Sequence, residues 1–207
     1  RINRRQRQMC IRDSAYAAVI AETEQQARDA AEKINADIKE LPAVIDMASA
    51  LSGSNFVHDE IGTNQCYDWG WIEDNREATD NAIKNAHHVT TLELVNNRLV
   101  PNAMEPRCSI ADYNSANDDY TLYTTSQNPH LTRLLISAFV LGIPENKLTV
   151  VSPDVGGGFG SKIYHYGEEA LVLAAAKRIK RPVRWTATRS ESFMTDAHGR
   201  DLSLIHI

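Results

Sequence analysis

The apolar positions of this 207-residue chain change period several times, and the changes mark its elements. Residues 16–20 (Tyr-Ala-Ala-Val-Ile) form a short apolar run that predicts a strand. Thr23 and Gln26 match a capping box. Ala27, Ala30, Ala31, Ile34 and Ile38 follow at helical spacing, predicting an amphipathic helix from 24 to about 39. Residues 41–46 predict a second strand. Periodicity then lapses over 52–80, a polar and aromatic stretch with Gly53, Gly62 and Gly70. It reads as a linker whose Trp69 and Trp71 pack against a neighbour. Alternation returns over 88–94 as a strand. Residues 110–113 and 120–125 predict a strand pair across the polar turn 114–118. Residues 130–140 predict a helix, with Gly142 placed as its terminating glycine and Pro144 just beyond. A strand over 148–151 runs into a glycine loop. A long helix over 166–179 follows, stopped before Pro182, and then a strand over 183–186. Strands and helices mix, so the predicted class is α+β (α/β mixed).

The two ends stand apart from this pattern. Arg4-Arg5-Gln6-Arg7-Gln8-Met9-Cys10-Ile11-Arg12-Asp13 and Leu202-Ser203-Leu204-Ile205-His206-Ile207 both read like a translated sequencing adapter, in opposite directions. Residues 1–13 and 202–207 are therefore expected to be adapter-like, non-native segments. The first carries five Arg and one Asp, so setting it aside moves the formal net charge from −5 to −9. An acidic balance argues against nucleic-acid or anionic-membrane partners. No apolar run reaches the roughly 18 residues of a membrane span. Cys66 and Cys108 are the cysteines outside those ends, and no C-x-x-C pair exists. An iron–sulfur or zinc site within the chain is thus not expected. Lone cysteines suit a reducing cytoplasm, and each is read as a small buried residue.

The chemistry concentrates in Val155-Gly156-Gly157-Gly158-Phe159-Gly160-Ser161-Lys162. Consecutive glycines let a backbone approach a ligand closely, and amides at the front of a helix favour an anion. The P-loop pattern fails, because Ser161 separates Gly160 from Lys162. The dinucleotide fingerprint fails too, because Ser161 takes the place of its third glycine. From the residues alone, an anion-binding loop and a close-packed turn both stay open. His87 and His88 are adjacent and on a strand would face opposite sides, so they are read as structural or solvent-exposed.

The whole segment Val151-Ser152-Pro153-Asp154 through Lys162 resembles the loop of the molybdenum hydroxylase (xanthine dehydrogenase/aldehyde oxidase) family, which includes aerobic carbon monoxide dehydrogenase large chains. Asn97-Arg98 with Met104-Glu105-Pro106-Arg107 fits the family as well. So do Thr124-Thr125-Ser126-Gln127-Asn128-Pro129-His130, Gly142-Ile143-Pro144-Glu145, Arg181-Pro182-Val183-Arg184-Trp185 and Thr188-Arg189-Ser190-Glu191. The similarity runs from about Ala15 to Asp201.

The resemblance implies an internal fragment of a large subunit. It would hold the end of an α/β-hammerhead domain (14–51), the linker (52–80) and the first molybdopterin-binding domain (81–201). The implied cofactor is a molybdenum-pterin (molybdopterin, as a dinucleotide) whose dithiolene supplies the metal ligands, so no metal ligand is expected from the protein. Gln127 and Phe159 are the implied catalytic residues, and Gln127, Gly157, Gly158, Phe159 and Gly160 the implied cofactor-binding set. Gln127 would donate to an oxygen ligand of molybdenum, a task for an amide that does not titrate. Phe159 would offer its backbone amide and wall the site with its ring. Lys162 either neutralises cofactor charge or makes a surface salt bridge. Glu105 is read as a buried structural carboxylate, and Glu168 and Glu169 favour the start of the long helix.

The implied reaction hydroxylates or oxidises a small substrate (CO, an aldehyde or an N-heterocycle) with water as oxygen source. Electrons would leave through [2Fe-2S] clusters and FAD on partner chains: an iron–sulfur small subunit and an FAD-binding medium subunit. Purine-oxidising members carry a glutamate just after the loop lysine. Ile163 stands there, which turns the expectation from xanthine toward the carbon monoxide dehydrogenase-like or aldehyde-oxidising branch. The family's catalytic glutamate is not within this stretch, so the chain alone is expected to be inactive. A reading of another class is a non-catalytic glycine-loop module that binds an anionic ligand or a partner chain.

Overall fold

A computed structural model describes residues 16–67 and 75–200, with the backbone of 202–205. The chain divides between Leu92 and Glu93 into two compact units. The first carries α1 (Glu24–Ala31), α2 (Met47–Ser52) and α3 (Arg76–Lys84). Helix α1 opens with the expected capping box, in which Thr23 and Gln26 exchange backbone-to-side-chain hydrogen bonds of 3.2 Å each. It ends at Ala31, well short of 39, because none of its residues is buried and propensity alone sustains few turns. The stretches 16–20 and 41–46 form no strand, and Ile20, Leu41 and Ile45 are exposed. A strand needs a partner for its backbone, and neither run has one among the described residues. Asp46 instead caps α2 by accepting from Ser49 N–H at 2.7 Å. Trp69, Trp71 and residues 1–13 lie outside the described residues, as do 206 and 207.

The second unit begins with β1 (Glu93–Asn96), later than the expected 88–94. His87 and His88 are exposed, in line with their reading as structural or solvent-exposed, although His88 lies outside the strand it was expected to begin. Strands β2 (Cys108–Asn114) and β3 (Asp119–Thr124) form the predicted hairpin, with Ala111 opposite Leu122. From β3 the chain rises through α4 (Pro129–Leu135), capped by Asn128, and a wider turn of helix over Ile136–Leu141. Gly142 ends that turn with φ 62°, as its placement predicted. Strand β4 (Leu148–Val151) then returns parallel to β3, and the helical crossover makes that parallel pairing possible. Helix α5 (Gly167–Ile179), strand β5 (Val183–Thr186) and helix α6 (Arg189–Thr195) follow.

The resulting mixed sheet has the order β4-β3-β2-β5. Alternate residues of β2 and β3 point one way, so Ala111, Tyr120 and Leu122 meet Val172, Leu173 and Ala176 of α5 in the core. Ile110 and Tyr123 face the other way and are exposed. Residues 202–205, expected to belong to a non-native tail, form β6 (Leu202–Ile205) against β1. Their apolar–polar alternation suits a strand.

Candidate cofactor-binding site

Strands β3 and β4 run parallel, so their carboxyl ends lie side by side at one edge of the sheet. β2 starts at that edge and β5 ends there, since Ser109 faces Thr124 and Cys108 faces Thr186. In α/β sheets such an edge is where ligands bind. Both predicted site elements come from it: Gln127 just after β3 and the glycine loop just after β4.

The loop closes on Gln127. The Gln127 Oε1 accepts from Gly160 N–H at 3.0 Å and from Lys162 N–H at 3.3 Å. Its backbone N–H donates to Lys162 O at 2.9 Å. Two N–H donors on one side require the oxygen there, so the Nε2 group points away from them. It has no acceptor among the described residues. The N–H groups of Gly158 and Phe159 likewise have none. The structure therefore brings Gln127 against the glycine loop and leaves the Gln127 Nε2 and the N–H groups of Gly158 and Phe159 uncommitted.

The glycines have separate reasons. A Cβ on Gly158 would overlap the Gln127 carboxamide, and one on Gly156 would lie 2.5 Å from Glu105 Cβ. Gly157 and Gly160 adopt φ 96° and 89°, left-handed values that favour glycine. Phe159 also has a positive φ, 51°; its ring folds beside Gly157 and is 74% exposed.

Helix α5 starts at Gly167, close to the expected 166, so the loop itself does not open a helix. Its first turn is capped from within, where the Glu169 carboxylate accepts from Tyr166 N–H at 3.2 Å. The donors at the loop are thus single amides rather than a helix terminus. Glu168 and Glu169 do sit in that first turn, as expected.

Behind the loop lies an ionic scaffold that sequence reasoning did not assemble. Lys162 is buried, not on the surface, and its Nζ donates to Glu105 O at 2.8 Å and Glu105 Oε2 at 3.1 Å. Glu105, read as a buried structural carboxylate, is only half-buried, and it also accepts from Gly156 N–H at 2.8 Å. Arg107 is 5% exposed and pairs with Asp196 at 2.6 Å and Glu168 at 3.1 Å, its guanidinium 3.7 Å from the Tyr166 ring centre. Burial alone would lower the Arg107 pKa, but Glu168 and Asp196 together outweigh it and raise it. Arg189 donates to Asn102 Oδ1, Ala103 O and Met104 O at 2.7–2.9 Å. Lys162 and Arg189, together with the carboxylates that pair with Arg107, thus hold residues 102–107 behind the loop. Glu169 is buried as well, bonded to Thr124 Oγ1 at 2.8 Å and His165 Nδ1 at 2.9 Å.

The cysteines divide. Cys66 is exposed, contrary to its reading as a buried residue, and Cys108 is half-buried. Burial, then Glu105, pushes the Cys108 thiol above its ordinary range, so its reactive thiolate is scarce near neutrality. Iodoacetamide is expected to modify Cys66 well before Cys108. Equal labelling rates followed by peptide mass spectrometry would count against this.

The residues fit an oxygen-rich, anionic group. The Gln127 Nε2 and the N–H groups of Gly158 and Phe159 have no acceptor among the described residues. Known proteins agree. Residues 57–205 match the family model described as "Molybdopterin cofactor-binding domain". The chain is 31% identical over 187 residues to the nicotine 6-hydroxylase large subunit of Paenarthrobacter nicotinovorans, covering 88% of this chain and 22% of that one. It is 34% identical over 198 residues to the carbon monoxide dehydrogenase large chain of Hydrogenophaga pseudoflava, covering 89% and 24%. The fold superposes on quinoline 2-oxidoreductase from Pseudomonas putida 86 with a TM-score of 0.78 at 30% identity, covering 88% and 23%. The chain therefore spans about a quarter of the length of these relatives. With the loop, the glutamine and the matched span in agreement, this chain belongs to the molybdopterin cofactor-binding domain family.

Proposed function

We propose that this chain is part of the catalytic large subunit of an oxidoreductase that hydroxylates or oxidises a small substrate with water as the oxygen source. The observation that carries the reading is the Gln127 carboxamide, whose oxygen is tied to the loop and whose Nε2 is left free to donate. A bound molybdenum-pterin would supply the two-electron chemistry. Gln127 Nε2 and the N–H groups of Gly158 and Phe159 would hold it by donating to its oxygens, and Gly157 and Gly160 would let the backbone approach. The exposed Phe159 ring would wall the site and exclude water from one side. Ile163, 42% exposed beside Lys162, offers an apolar contact and no carboxylate, which favours carbon monoxide, an aldehyde or an uncharged heterocycle over a purine.

The same reading assigns 14–51 to the end of an α/β-hammerhead domain, 52–80 to a linker and 81–201 to the first molybdopterin-binding domain. It treats 1–13 and 202–207 as non-native, which re-reading the source DNA would test. FAD and iron–sulfur clusters would sit on partner subunits, and the complex would work in the cytoplasm. Among the described residues no helix is long and apolar enough to cross a membrane.

The test is expression of the complete gene with its partners in molybdenum-replete cells. The wild type is expected to contain molybdenum. Gln127→Ala is expected to retain it and to lose about tenfold in kcat/KM, the worth of one hydrogen bond. A folded, metal-free wild type would overturn the reading in favour of a non-catalytic module.

A further inference from the structure

One carboxylate oxygen anchors the glycine loop at both ends. Glu105 Oε2 accepts from Gly156 N–H at the start of the loop and from Lys162 Nζ at its end. The approach is close: Gly156 has no room for a Cβ against Glu105. The Lys162 side chain is only 1% exposed. An ammonium placed to meet a ligand would keep a face open to it. This one is closed in and committed to Glu105, because a buried charge persists only with a partner. The backbone of the same lysine grips Gln127 from two directions, donating to Oε1 and accepting from the Gln127 N–H. Lys162 thus links the Glu105 carboxylate to the Gln127 carboxamide through one residue.

We propose that Lys162 and Glu105 are positioning residues that fix the orientation of the Gln127 carboxamide, and so the direction of its free Nε2–H. The cofactor side of this inference rests on the function proposed above. Neither residue touches the bound group; both act through Gln127 and the loop.

The experiment uses the complete subunit with its partners. Amide hydrogen exchange is followed in peptides covering 157–163 for the wild type, Lys162→Met, Glu105→Ala, Glu105→Gln and Gln127→Ala. Lys162→Met and Glu105→Ala are expected to speed exchange there and to lower kcat/KM about tenfold at unchanged molybdenum content. Glu105→Gln keeps an oxygen acceptor in place and is expected to recover most of both effects. In a Gln127→Ala background, Lys162→Met is expected to add no further loss, because the two act as a unit. Losses that multiply to about 100-fold in the double variant would overturn the proposal. So would exchange over 157–163 that stays at the wild-type rate. If Lys162→Met fails to accumulate, Glu105→Asp, which withdraws the carboxylate by one methylene, carries the same comparison. Molybdenum missing from the wild type would defeat the functional reading alone, since the exchange measurement needs no cofactor.

Discussion

Replacing Arg107 by Met is expected to destabilise the second unit by about 3–5 kcal/mol, the usual cost of removing one member of a buried ionic cluster. Met fills the space but leaves Asp196 and Glu168, 12% and 25% exposed, facing the gap without a cation. It also removes the stack on Tyr166 and Trp185. Tyr166 matters in its own right. Its hydroxyl donates to Ser161 O at 2.5 Å and accepts from Ala197 N–H at 2.9 Å, joining the end of the loop to the chain after α6. Burial holds its phenol above the ordinary range, so it remains a donor at any physiological pH. Domains commonly have roughly 5–15 kcal/mol of stability, so the substitution removes a large share. Lysine is expected to be a poor replacement, because a single ammonium cannot reproduce the planar fork. Urea denaturation of the complete subunit measures this, and a loss below about 1 kcal/mol, typical of a surface pair, would refute it.

Gly158→Ala is expected to lower kcat/KM by about 100-fold, the scale on which small displacements of positioned groups act. The added methyl occupies the place of the Gln127 carboxamide, which must leave its two loop amides. Gln127 and the Phe159 amide then move together, so the loss exceeds that of Gln127→Ala. Gly160→Ala is the control. Its Cβ meets nothing within 4 Å, and its φ of 89° imposes backbone strain alone. That costs about 1–2 kcal/mol of stability and leaves the carboxamide in place. Steady-state kinetics on both variants decides the matter, and Gly158→Ala performing as well as Gly160→Ala would refute the steric account.

The second unit was largely legible along the chain. Its strands alternate, its hairpin turn is polar, and Gly142 and Pro182 stand where helices stop. The first unit was not, since 16–20 and 41–46 have strand composition but no neighbour among the described residues. Helix α6 could have been foreseen: Thr188 and Glu191 form the same capping box that marked Thr23 and Gln26. The widened turn at Ile136–Leu141 has no such mark and was read as ordinary helix. At the site, Gln127 and the loop were recognised through motif resemblance. Their mutual closure was not, because it joins positions 33 and 35 residues apart. The partners of Arg107 were hidden for the same reason. A motif names a residue, but tertiary packing chooses what it meets.

That separation also bears on the order of events during synthesis. Lys162 reaches back 57 residues to Glu105, Arg189 reaches back 87 to Asn102, and Arg107 waits 89 residues for Asp196. While the ribosome has delivered only the hairpin and α4, Gln127 has no loop to hold its oxygen, and the segment at 102–107 has none of these long-range partners. Such distant pairings are closed late and slowly. On the function proposed above, a prosthetic group held jointly by Gln127 and the loop would therefore find its site only after the chain has been delivered past Lys162.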